Sequence, residues 1–237
     1  DITEKRMAEK MRQEFSANVS HELKTPLTSI SGFAELLQNN MVRPNDIPLF
    51  AGKIYKEAQR LINLIQDIIK LSQLDEKNST FMKEPLNLSA ICKQIILRLN
   101  DKALTKQVKL IFKEVPTSEI SGVRQLIEEL IYNLIENAIK YNKANGSVLI
   151  SLLNEDKNHL ILEVKDTGIG IASDDLPHVF ERFYRADKSR SQINVEGTGL
   201  GLAIVKHIAE FHHANLTIQS KPNEGTCIRI HFSLKSD

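Results

Sequence analysis

Apolar residues recur at steps of three or four along the first part of the chain, which predicts one long helix over residues 3 to about 39. The stripe comprises Phe15, Val19, Leu23, Leu27, Ile30, Phe33 and Leu37. Polar residues between Asn39 and Asn45 then interrupt the pattern. A second helix is predicted from about Ile47 to Leu74. Its seam alternates steps of four and three, as in a coiled coil, and comprises Ile54, Ala58, Leu61, Ile65 and Ile68.

Additional apolar residues widen this seam beyond what one partner helix covers. They are Ile62, Leu64, Ile69 and Leu71. We therefore predict that two copies of this helical hairpin associate into a four-helix bundle. The alternative is that the hairpin packs against the rest of its own chain.

The pattern changes after the polar run DEKNSTFMKEP (75–85), which is the best candidate for a linker. Helices are predicted at 88–106, 122–142 and 201–213, and strands that look antiparallel at 108–115, 147–155, 159–166 and 226–234. This order predicts an α+β two-layer sandwich.

Composition narrows the class of protein. Of the 237 residues, 41% are apolar and 26% charged, as in a folded globular protein, and a net charge of +1 argues against non-specific binding to nucleic acid or an anionic membrane. Cys92 and Cys227 have no metal-site spacing, so we expect both to be reduced and half-buried. No apolar run reaches the roughly 20 residues that span a bilayer. The charged N-terminus is not a signal peptide, and we expect the chain to be a fragment.

Polar groups interrupt the first helix in SHELKTPL (20–27). His21 and Thr25 are four residues apart, so they share one face. Pro26 has no N–H for the carbonyl group of Glu22, so we expect a bend that opens the backbone near His21. If the Glu22 carboxylate reaches the imidazole, it would fix the tautomer and help remove a proton while the other ring nitrogen attacks an electrophile. Helix geometry does not require that reach, because adjacent residues point about 100° apart.

A surface histidine beside a harmless proline is the alternative interpretation of His21. It is the interpretation adopted for the other histidines, which are His159, His178, His207, His212, His213 and His231.

A second polar stripe occupies LIYNLIENAIKY, where Asn133 and Asn137 are four residues apart and Lys140 and Tyr141 lie a turn further on. Amide oxygens suit Mg²⁺ and an ammonium group suits phosphate. Taken alone, an exposed polar face of this kind is also common on amphipathic helices.

Two glycine-containing segments follow. In DTGIGI a strand ends at Asp166, whose carboxylate could accept a hydrogen bond from an exocyclic amine such as that of adenine, although a plain strand–turn junction is an equal alternative. In EGTGLGL three glycines precede a helix whose N-terminal N–H groups favour phosphate. The spacing matches neither the dinucleotide motif nor the P-loop. Ala186 to Glu196 is predicted to be a mobile lid, with ordinary loop disorder as the alternative.

In this order the segments resemble the catalytic region of bacterial sensor histidine kinases of two-component systems, over nearly the whole chain. SHELKTPL resembles the H box, NLIENAIKY the N box, and DTGIGI and GTGLGL the two glycine boxes. FERFYR resembles the aromatic box and NEGT the last glycine motif. Each motif alone is modest support, but their common order makes coincidence very improbable.

The resemblance implies a dimerisation and histidine-phosphotransfer domain over 1–77, a linker over 78–84 and an ATP-binding domain over 85–237. The first would be an all-α hairpin forming a four-helix bundle as a dimer. The second would be an α+β sandwich of the histidine kinase, gyrase and Hsp90-like ATPase type. His21 would be the phosphoacceptor, Glu22 its acid/base partner, and Thr25 the residue that positions water when the kinase dephosphorylates its response regulator.

The implied cofactors are ATP and Mg²⁺. Asn137 would hold Mg²⁺, Asp166 would bind the adenine amino group and Arg185 would contact the γ-phosphate. The remaining nucleotide-binding residues implied by the match are Asn133, Lys140, Tyr141, Gly168, Gly170, Ile171, Arg182, Gly197, Thr198, Gly199, Leu200, Gly201, Leu202 and Thr226.

ATPases of this fold carry a water-activating glutamate at the position that matches Asn133. An amide cannot act as a general base, so we expect ATP hydrolysis to be poor and ATP to be kept for His21. The chain departs from the family in FHHANL, which lacks the usual glycines, and at Asn223, where a glycine is common. Both departures concern local loop shape.

The implied partners are a second copy of the chain and the receiver domain of a response regulator, with no nucleic acid. The chain would be the cytoplasmic portion of a bacterial sensor, anchored to the membrane only through a preceding segment. One rival is an ATPase of the same fold that works as a conformational clamp, against which Asn133 and the His21 helix argue. The other is a non-catalytic dimeric signalling scaffold, against which the presence of every motif residue argues.

Overall fold

The computed structural model describes residues 2–75, 81–116, 118–154, 158–186 and 197–234. The chain divides into two compact units, Asp1–Ser72 and Gln73–Asp237. Apart from Ala186, the predicted lid lies outside the described residues. Within the described residues no helix combines the length and the apolar character needed to cross a membrane.

The first unit is a helical hairpin, as predicted. Helix α1 (Ile2–Gln38) and helix α2 (Ile47–Asp75) are joined through a 3₁₀ turn, Pro44–Asp46. Near the connection the rings of Phe33 and Phe50 pack edge to face, with centroids 5.7 Å apart. The Lys53 ammonium lies 5.3 and 5.2 Å from these two centroids and adds a cation–π contact to the pair.

Several apolar residues of the hairpin remain exposed in the single chain. They include Leu27, Leu36, Ile62, Ile65 and Ile69. Exposed apolar surface along two helices favours association with another protein surface. The prediction that two copies form a four-helix bundle therefore remains consistent with the hairpin.

The second unit is an α+β sandwich. Its helices are α3 (Leu88–Thr105), α4 (Arg124–Lys140) and α5 (Gly201–Phe211). Its strands are β1 (Glu84–Asn87), β2 (Lys109–Lys113), β3 (Glu119–Gly122), β4 (Ser147–Asn154), β5 (His159–Asp166), β6 (Asn215–Lys221) and β7 (Gly225–Ser233). The main sheet has the order β2-β4-β5-β7-β6, and β1 and β3 form a separate antiparallel pair.

The strand directions correct one expectation. Strands β4, β5 and β7 pair antiparallel as predicted, but β2 pairs with β4 in parallel. Strand β6 pairs antiparallel with β7 at the edge of the sheet. The reason is that β3 and α4 lie between β2 and β4 in the chain and return it to the same end of the sheet. Strands β1, β3 and β6 were not predicted. The first two are four residues long, too short for an alternating pattern to stand out.

The core lies between one face of the sheet and the helices. Leu160, Leu162 and Val164 alternate along β5 toward this side, and α4 buries Ile131 and Leu134. Burying each such side chain contributes roughly 1.5–3 kcal/mol, which keeps α4 and α5 in place along the sheet. Both cysteines are free thiols. Cys92 is fully buried rather than half-buried, and burial raises the pKa of its thiol to about 12.

Left-handed residues replace the glycines that FHHANL lacks. His213 has φ of +54° just past the end of α5, where it donates its N–H to the Glu210 carbonyl oxygen (3.0 Å). The following Ala214 N–H donates to the Ala209 carbonyl oxygen (2.9 Å). These two bonds form a Schellman cap, in which glycine is the usual residue at the left-handed position. The left-handed conformation costs roughly 1–2 kcal/mol for a non-glycine residue such as His213.

The neighbouring His212 side chain joins two helices. Its Nδ1–H donates to the Ile208 carbonyl oxygen (2.8 Å), and its Nε2 accepts the N–H of Val123 (3.0 Å), the residue before α4. Gly122 lies directly against the ring, since a Cβ there would be 3.2 Å from Nε2. Burial is the main cause that lowers the pKa of His212, so the ring is held neutral.

Acidification is expected to destabilise the protein through His212. The folded pKa lies below the ordinary value of 6.5, so the unfolded chain binds the proton more readily. The stabilisation is therefore fully present above pH 6.5 and declines as the pH falls below it. Protonation at Nε2 leaves the Val123 N–H without its acceptor, which costs about 1–3 kcal/mol. Chemical unfolding between pH 5 and 8 should show a steeper acid loss in the unaltered chain than in His212→Gln, and equal slopes would contradict this assignment.

Candidate functional site

The exposed face of α1 carries the histidine and a row of hydroxyl groups. The His21 side chain is 79% exposed. The Thr25 hydroxyl donates to the His21 carbonyl oxygen at 3.2 Å, and the Ser29 hydroxyl donates to the Thr25 carbonyl oxygen at the same distance. Pro26 is buried within α1, which continues as one helix through it. The structure therefore places His21 and Thr25 on one face as predicted, while a bend at Pro26 stays a prediction.

Glu22 lies beside the imidazole, which helix geometry alone left open. Its Oε1 is 3.6 Å from His21 Nδ1, longer than a hydrogen bond but close enough for a short movement to form one. Its Oε2 is 3.8 Å from a guanidinium nitrogen of Arg60 on α2. Arg60 was not predicted as a partner of Glu22, because helical periodicity does not show which turns of two helices face each other.

A polar row runs along α4 in the second unit. Glu129, Asn133, Asn137 and Lys140 are half-buried along one face, and the opposite face is buried in the core. Asn133 donates its Nδ2–H to Glu129 Oε1 at 3.2 Å. A Cβ on Gly201 would lie 3.2 Å from Asn133 Oδ1 and 3.5 Å from Asn137 Nδ2. The row therefore faces the first residue of α5, where an added Cβ would make a tight contact with Asn133 Oδ1.

Cationic groups gather at the C-terminal end of α4. The Lys140 ammonium lies 5.1 Å from the centroid of the Tyr141 ring and directly against Gly197, where a Cβ would collide with it. Burial raises the pKa of Tyr141, and the nearby Arg185 cation partly opposes that rise. Two cations beside backbone N–H groups of a glycine segment form an environment suited to phosphate.

Asp166 occupies the buried end of β5. Its Oδ1 accepts the N–H of Gly168 at 2.7 Å and the N–H of Thr226 at 3.2 Å. Burial still raises the pKa of Asp166, because desolvation outweighs these two bonds. Both donors reach Oδ1, so within the described part of the chain Oδ2 is the oxygen that can accept from a ligand. The carboxylate is thus fixed for recognition of a hydrogen-bond donor such as an amine.

The β6–β7 turn holds the DTGIGI segment. Asn223 donates its N–H to the Ile169 carbonyl oxygen (2.7 Å), and Ile171 donates its N–H to the Ser220 hydroxyl (2.8 Å). Gly170 has φ of +67° and lies against the Lys221 carbonyl, where a Cβ would collide. Asn223 itself has φ of +66°, the conformation that glycine would provide. Ser220 was missed by the sequence analysis because β6 was not predicted.

The aromatic and glycine boxes pack against each other. Phe183 donates its N–H to the Gly199 carbonyl oxygen (3.0 Å), and Gly199 has φ of +73° with no room for a Cβ beside Phe183. Leu200 is fully buried and immediately precedes α5, and its N–H donates to the Thr198 hydroxyl (3.3 Å). One nitrogen of the Arg182 guanidinium lies 2.8 Å from His207 Nε2 on α5. Arg182 therefore contacts the second half of α5.

The donors of this site fit a magnesium–phosphate group. Among the described residues no cluster of three or more histidine, cysteine, aspartate or glutamate side chains forms a cage for a metal ion. Mg²⁺ does not need such a cage, since it binds through one or two protein oxygens together with water and substrate phosphates. The amide oxygens of Asn133 and Asn137 can supply these, and Lys140 lies on the phosphate side.

Comparison with known families gives two matches in chain order. Residues 11–77 match the His Kinase A (phospho-acceptor) domain. Residues 122–236 match the histidine kinase-, DNA gyrase B- and HSP90-like ATPase domain. The first match contains His21, and the second contains the α4 row, Asp166 and α5.

Curated relatives align along essentially the whole chain. The sensor histidine kinase WalK of Bacillus subtilis is 36% identical over 242 residues, which is 100% of this chain and 39% of WalK. The phosphate regulon sensor protein PhoR of Pseudomonas aeruginosa is 37% identical over 236 residues, which is 98% of this chain and 52% of PhoR. The chain therefore spans about half the length, or less, of these relatives.

A solved structure with the same fold is that of histidine kinase ThkA in complex with response regulator protein TrrA. The TM-score is 0.78, and the match covers 97% of this chain and 64% of that one. The sequence identity is 20%, so the likeness establishes the fold alone.

Proposed function

Because the chain belongs to the family of two-component sensor histidine kinases, we propose that it transfers the γ-phosphoryl group of ATP to His21 and then to an aspartate of a response regulator. The observation that carries this proposal is the position of His21, an exposed imidazole whose Nδ1 faces the Glu22 carboxylate at 3.6 Å. An imidazole held in this way presents Nε2 as the nucleophile.

The second unit carries an ATP-binding domain, and its geometry supports specific roles for its residues. Asp166 Oδ2 would accept the adenine amino group, while Gly168, Gly170, Ile171 and Thr226 shape the turn around it. Lys140, Arg185 and the segment from Gly197 to Leu202 would surround the phosphates, with Tyr141 beside Lys140. Thr198 would support that segment through the bond that its hydroxyl accepts from the Leu200 N–H. Arg182 would hold the following helix α5 through His207, beside the nucleotide.

Asn137 would hold Mg²⁺ with Asn133 beside it. The ion, when bound, neutralises charge on the phosphate oxygens and orients the γ-phosphoryl group for in-line attack. Asn133 cannot remove a proton from water, so this site supports delivery of the phosphoryl group to His21 rather than hydrolysis.

At His21 the Nε2 lone pair forms the new bond to phosphorus as the bond to the ADP oxygen breaks. The Nδ1 proton passes to Glu22, which moves a few tenths of an ångström to reach hydrogen-bonding distance. Arg60 holds the other carboxylate oxygen at 3.8 Å and keeps Glu22 oriented toward the ring. In the phosphatase direction, the Thr25 hydroxyl would turn from the His21 carbonyl toward a water molecule.

The exposed apolar residues on α1 and α2 support a homodimer that buries them in a four-helix bundle. The complex of ThkA with TrrA supports docking of a receiver domain as the second partner. In the whole protein these units would lie in the cytoplasm, attached to the membrane through a preceding segment. The domain bounds of 1–77, 78–84 and 85–237 stay part of this proposal.

Incubation of the chain with γ-labelled ATP and Mg²⁺ tests the proposal. The expected product carries a label on the protein that is lost in acid and retained in alkali, as a phosphorylated histidine requires. Release of inorganic phosphate without labelled protein would favour the conformational clamp. Nucleotide binding with neither product would favour the signalling scaffold.

Replacing Thr25 by alanine is expected to lower phosphatase activity by about tenfold or more, because a positioned group that assists proton transfer or water attack contributes at least this much. Autophosphorylation should change little, since the Thr25 hydroxyl contacts the His21 carbonyl and not the ring. Both rates would be measured on the same preparation with a phosphorylated response regulator.

Ser29→Ala is the matched control for Thr25, because the Ser29 hydroxyl makes the same kind of bond one turn further along α1. It should leave both rates close to those of the unaltered chain. Equal losses of kinase and phosphatase activity in Thr25→Ala would argue against separate roles.

A further inference from the structure

We propose that Glu129 is a positioning residue, which fixes the side-chain amide of Asn133 so that its carbonyl oxygen faces the magnesium–phosphate space. This inference rests on the proposed function, since it assigns a role toward the same nucleotide site. The NLIENAIKY motif begins at Asn133, so it does not include Glu129, which lies one helical turn earlier.

The orientation of the Asn133 amide follows from the chemistry of its partner. Oxygen and nitrogen atoms of an asparagine side chain are assigned from their hydrogen-bond network. An ionised carboxylate can only accept hydrogen bonds, so the atom that faces Glu129 Oε1 at 3.2 Å must be Nδ2. The opposite orientation would place two acceptors against each other. Glu129 therefore selects one of the two possible amide orientations.

The selected orientation points Oδ1 toward the start of α5. Of the atoms near Gly201, Asn133 Oδ1 would lie closest to an added Cβ, at 3.2 Å. An oxygen at this place is a ligand that Mg²⁺ accepts, whereas an amide NH₂ would repel the ion. Asn137 Nδ2 lies 3.5 Å from the same added Cβ, but among the described residues no side chain fixes this amide. The Asn137 amide can therefore rotate to present the oxygen with which it would hold Mg²⁺, so the two amides are not equivalent.

The row on α4 gives the reason that this bond is formed. Glu129 and Asn133 are four residues apart on one half-buried helix face, where side chains at this spacing meet. The bond is partly shielded from water, so losing it would leave the Asn133 amide free to rotate. Outer-shell partners that orient metal ligands typically change metal affinity by about 10- to 100-fold when removed.

The test measures how Mg²⁺ changes the binding of a non-hydrolysable β,γ-imido analogue of ATP, using calorimetry on the whole chain. In Glu129→Ala, the Mg²⁺ concentration that produces half of the Mg²⁺-dependent increase in affinity for the analogue is expected to rise about tenfold. Binding of the analogue in EDTA should change by less than about twofold, because the adenine contact is elsewhere. A purely structural role of Glu129 would weaken binding in both conditions.

Two further variants make the result specific. Glu129→Gln should restore the Mg²⁺ dependence to within about threefold of the unaltered chain, because its Oε1 can accept the same bond. Glu128→Ala is the control on the neighbouring position, where the carboxylate faces Arg124 at 3.8 Å instead. Equal Mg²⁺ dependence of analogue binding in Glu129→Ala and Glu128→Ala would overturn the inference. The inference would also be overturned if Glu129→Gln needed as much Mg²⁺ as Glu129→Ala. If the unaltered chain binds no analogue under either condition, the proposed function fails, and this inference fails with it.

Discussion

Replacing His21 by glutamine is expected to abolish labelling of the chain by γ-labelled ATP. Glutamine has nearly the size of histidine but has no ring nitrogen that can attack phosphorus. The side chain is 79% exposed, so its replacement should leave the hairpin folded. ATP binding should be unchanged, because Asp166 and the α4 row belong to the other compact unit. Label in the acid-labile fraction and nucleotide affinity would be measured on the same sample.

A second histidine serves as the control for His21. His159 is half-buried at the start of β5 in the other unit. His159→Gln should retain the acid-labile label at the level of the unaltered chain. An acid-labile phosphoryl signal that survives in His21→Gln would remove His21 from the proposed reaction, while a simultaneous loss of nucleotide binding would show that the substitution had damaged the fold.

Replacing Asp166 by asparagine is expected to weaken ATP binding by roughly 10- to 100-fold, the range for losing a hydrogen bond to a charged group. The asparagine oxygen can still accept the N–H groups of Gly168 and Thr226, which keeps the turn in place. Its NH₂ group then occupies the position of Oδ2 and faces the adenine amine, so two donors meet.

The same reasoning gives a change in base preference. A purine with a carbonyl group at the amine position could accept from the new NH₂, so the ratio of inosine triphosphate to ATP affinity should rise in Asp166→Asn. Asp101→Asn, on the exposed face of α3, is the matched control and should leave both affinities unchanged. If Asp166→Asn left both the ATP affinity and the base preference unaltered, this would contradict the role of Asp166 in adenine recognition.

The periodicity of apolar and polar residues was sufficient to predict features that lie within a single helix or strand. The spacing of His21 and Thr25 placed them on one helix face, and the spacing of Asn133, Asn137 and Lys140 defined the polar side of α4. These arrangements follow from 3.6 residues per turn and require no knowledge of neighbours. The two units and their fold class were readable for the same reason.

Contacts between different helices and strands could not be predicted from periodicity. Arg60 approaches Glu22 through the register of α1 against α2, and Ser220 reaches Ile171 only because β6 lies beside β7. Strand β6 carries its own alternating pattern at Leu216 and Ile218, but its residues alternate only between half-buried and exposed positions. The left-handed residues His213 and Asn223 replace glycines that a sequence motif would require. Tertiary context determines all of these contacts.

The parallel pairing of β2 with β4 bears on how the second unit is built during synthesis. Strand β2 leaves the ribosome first, yet its backbone partners arrive only after β3 and all of α4 have been made. Pairings between distant segments form late, because the loop that joins them must be ordered first. A nascent chain that ends before β4 therefore exposes an unpaired strand edge, which is the kind of surface that molecular chaperones protect from aggregation.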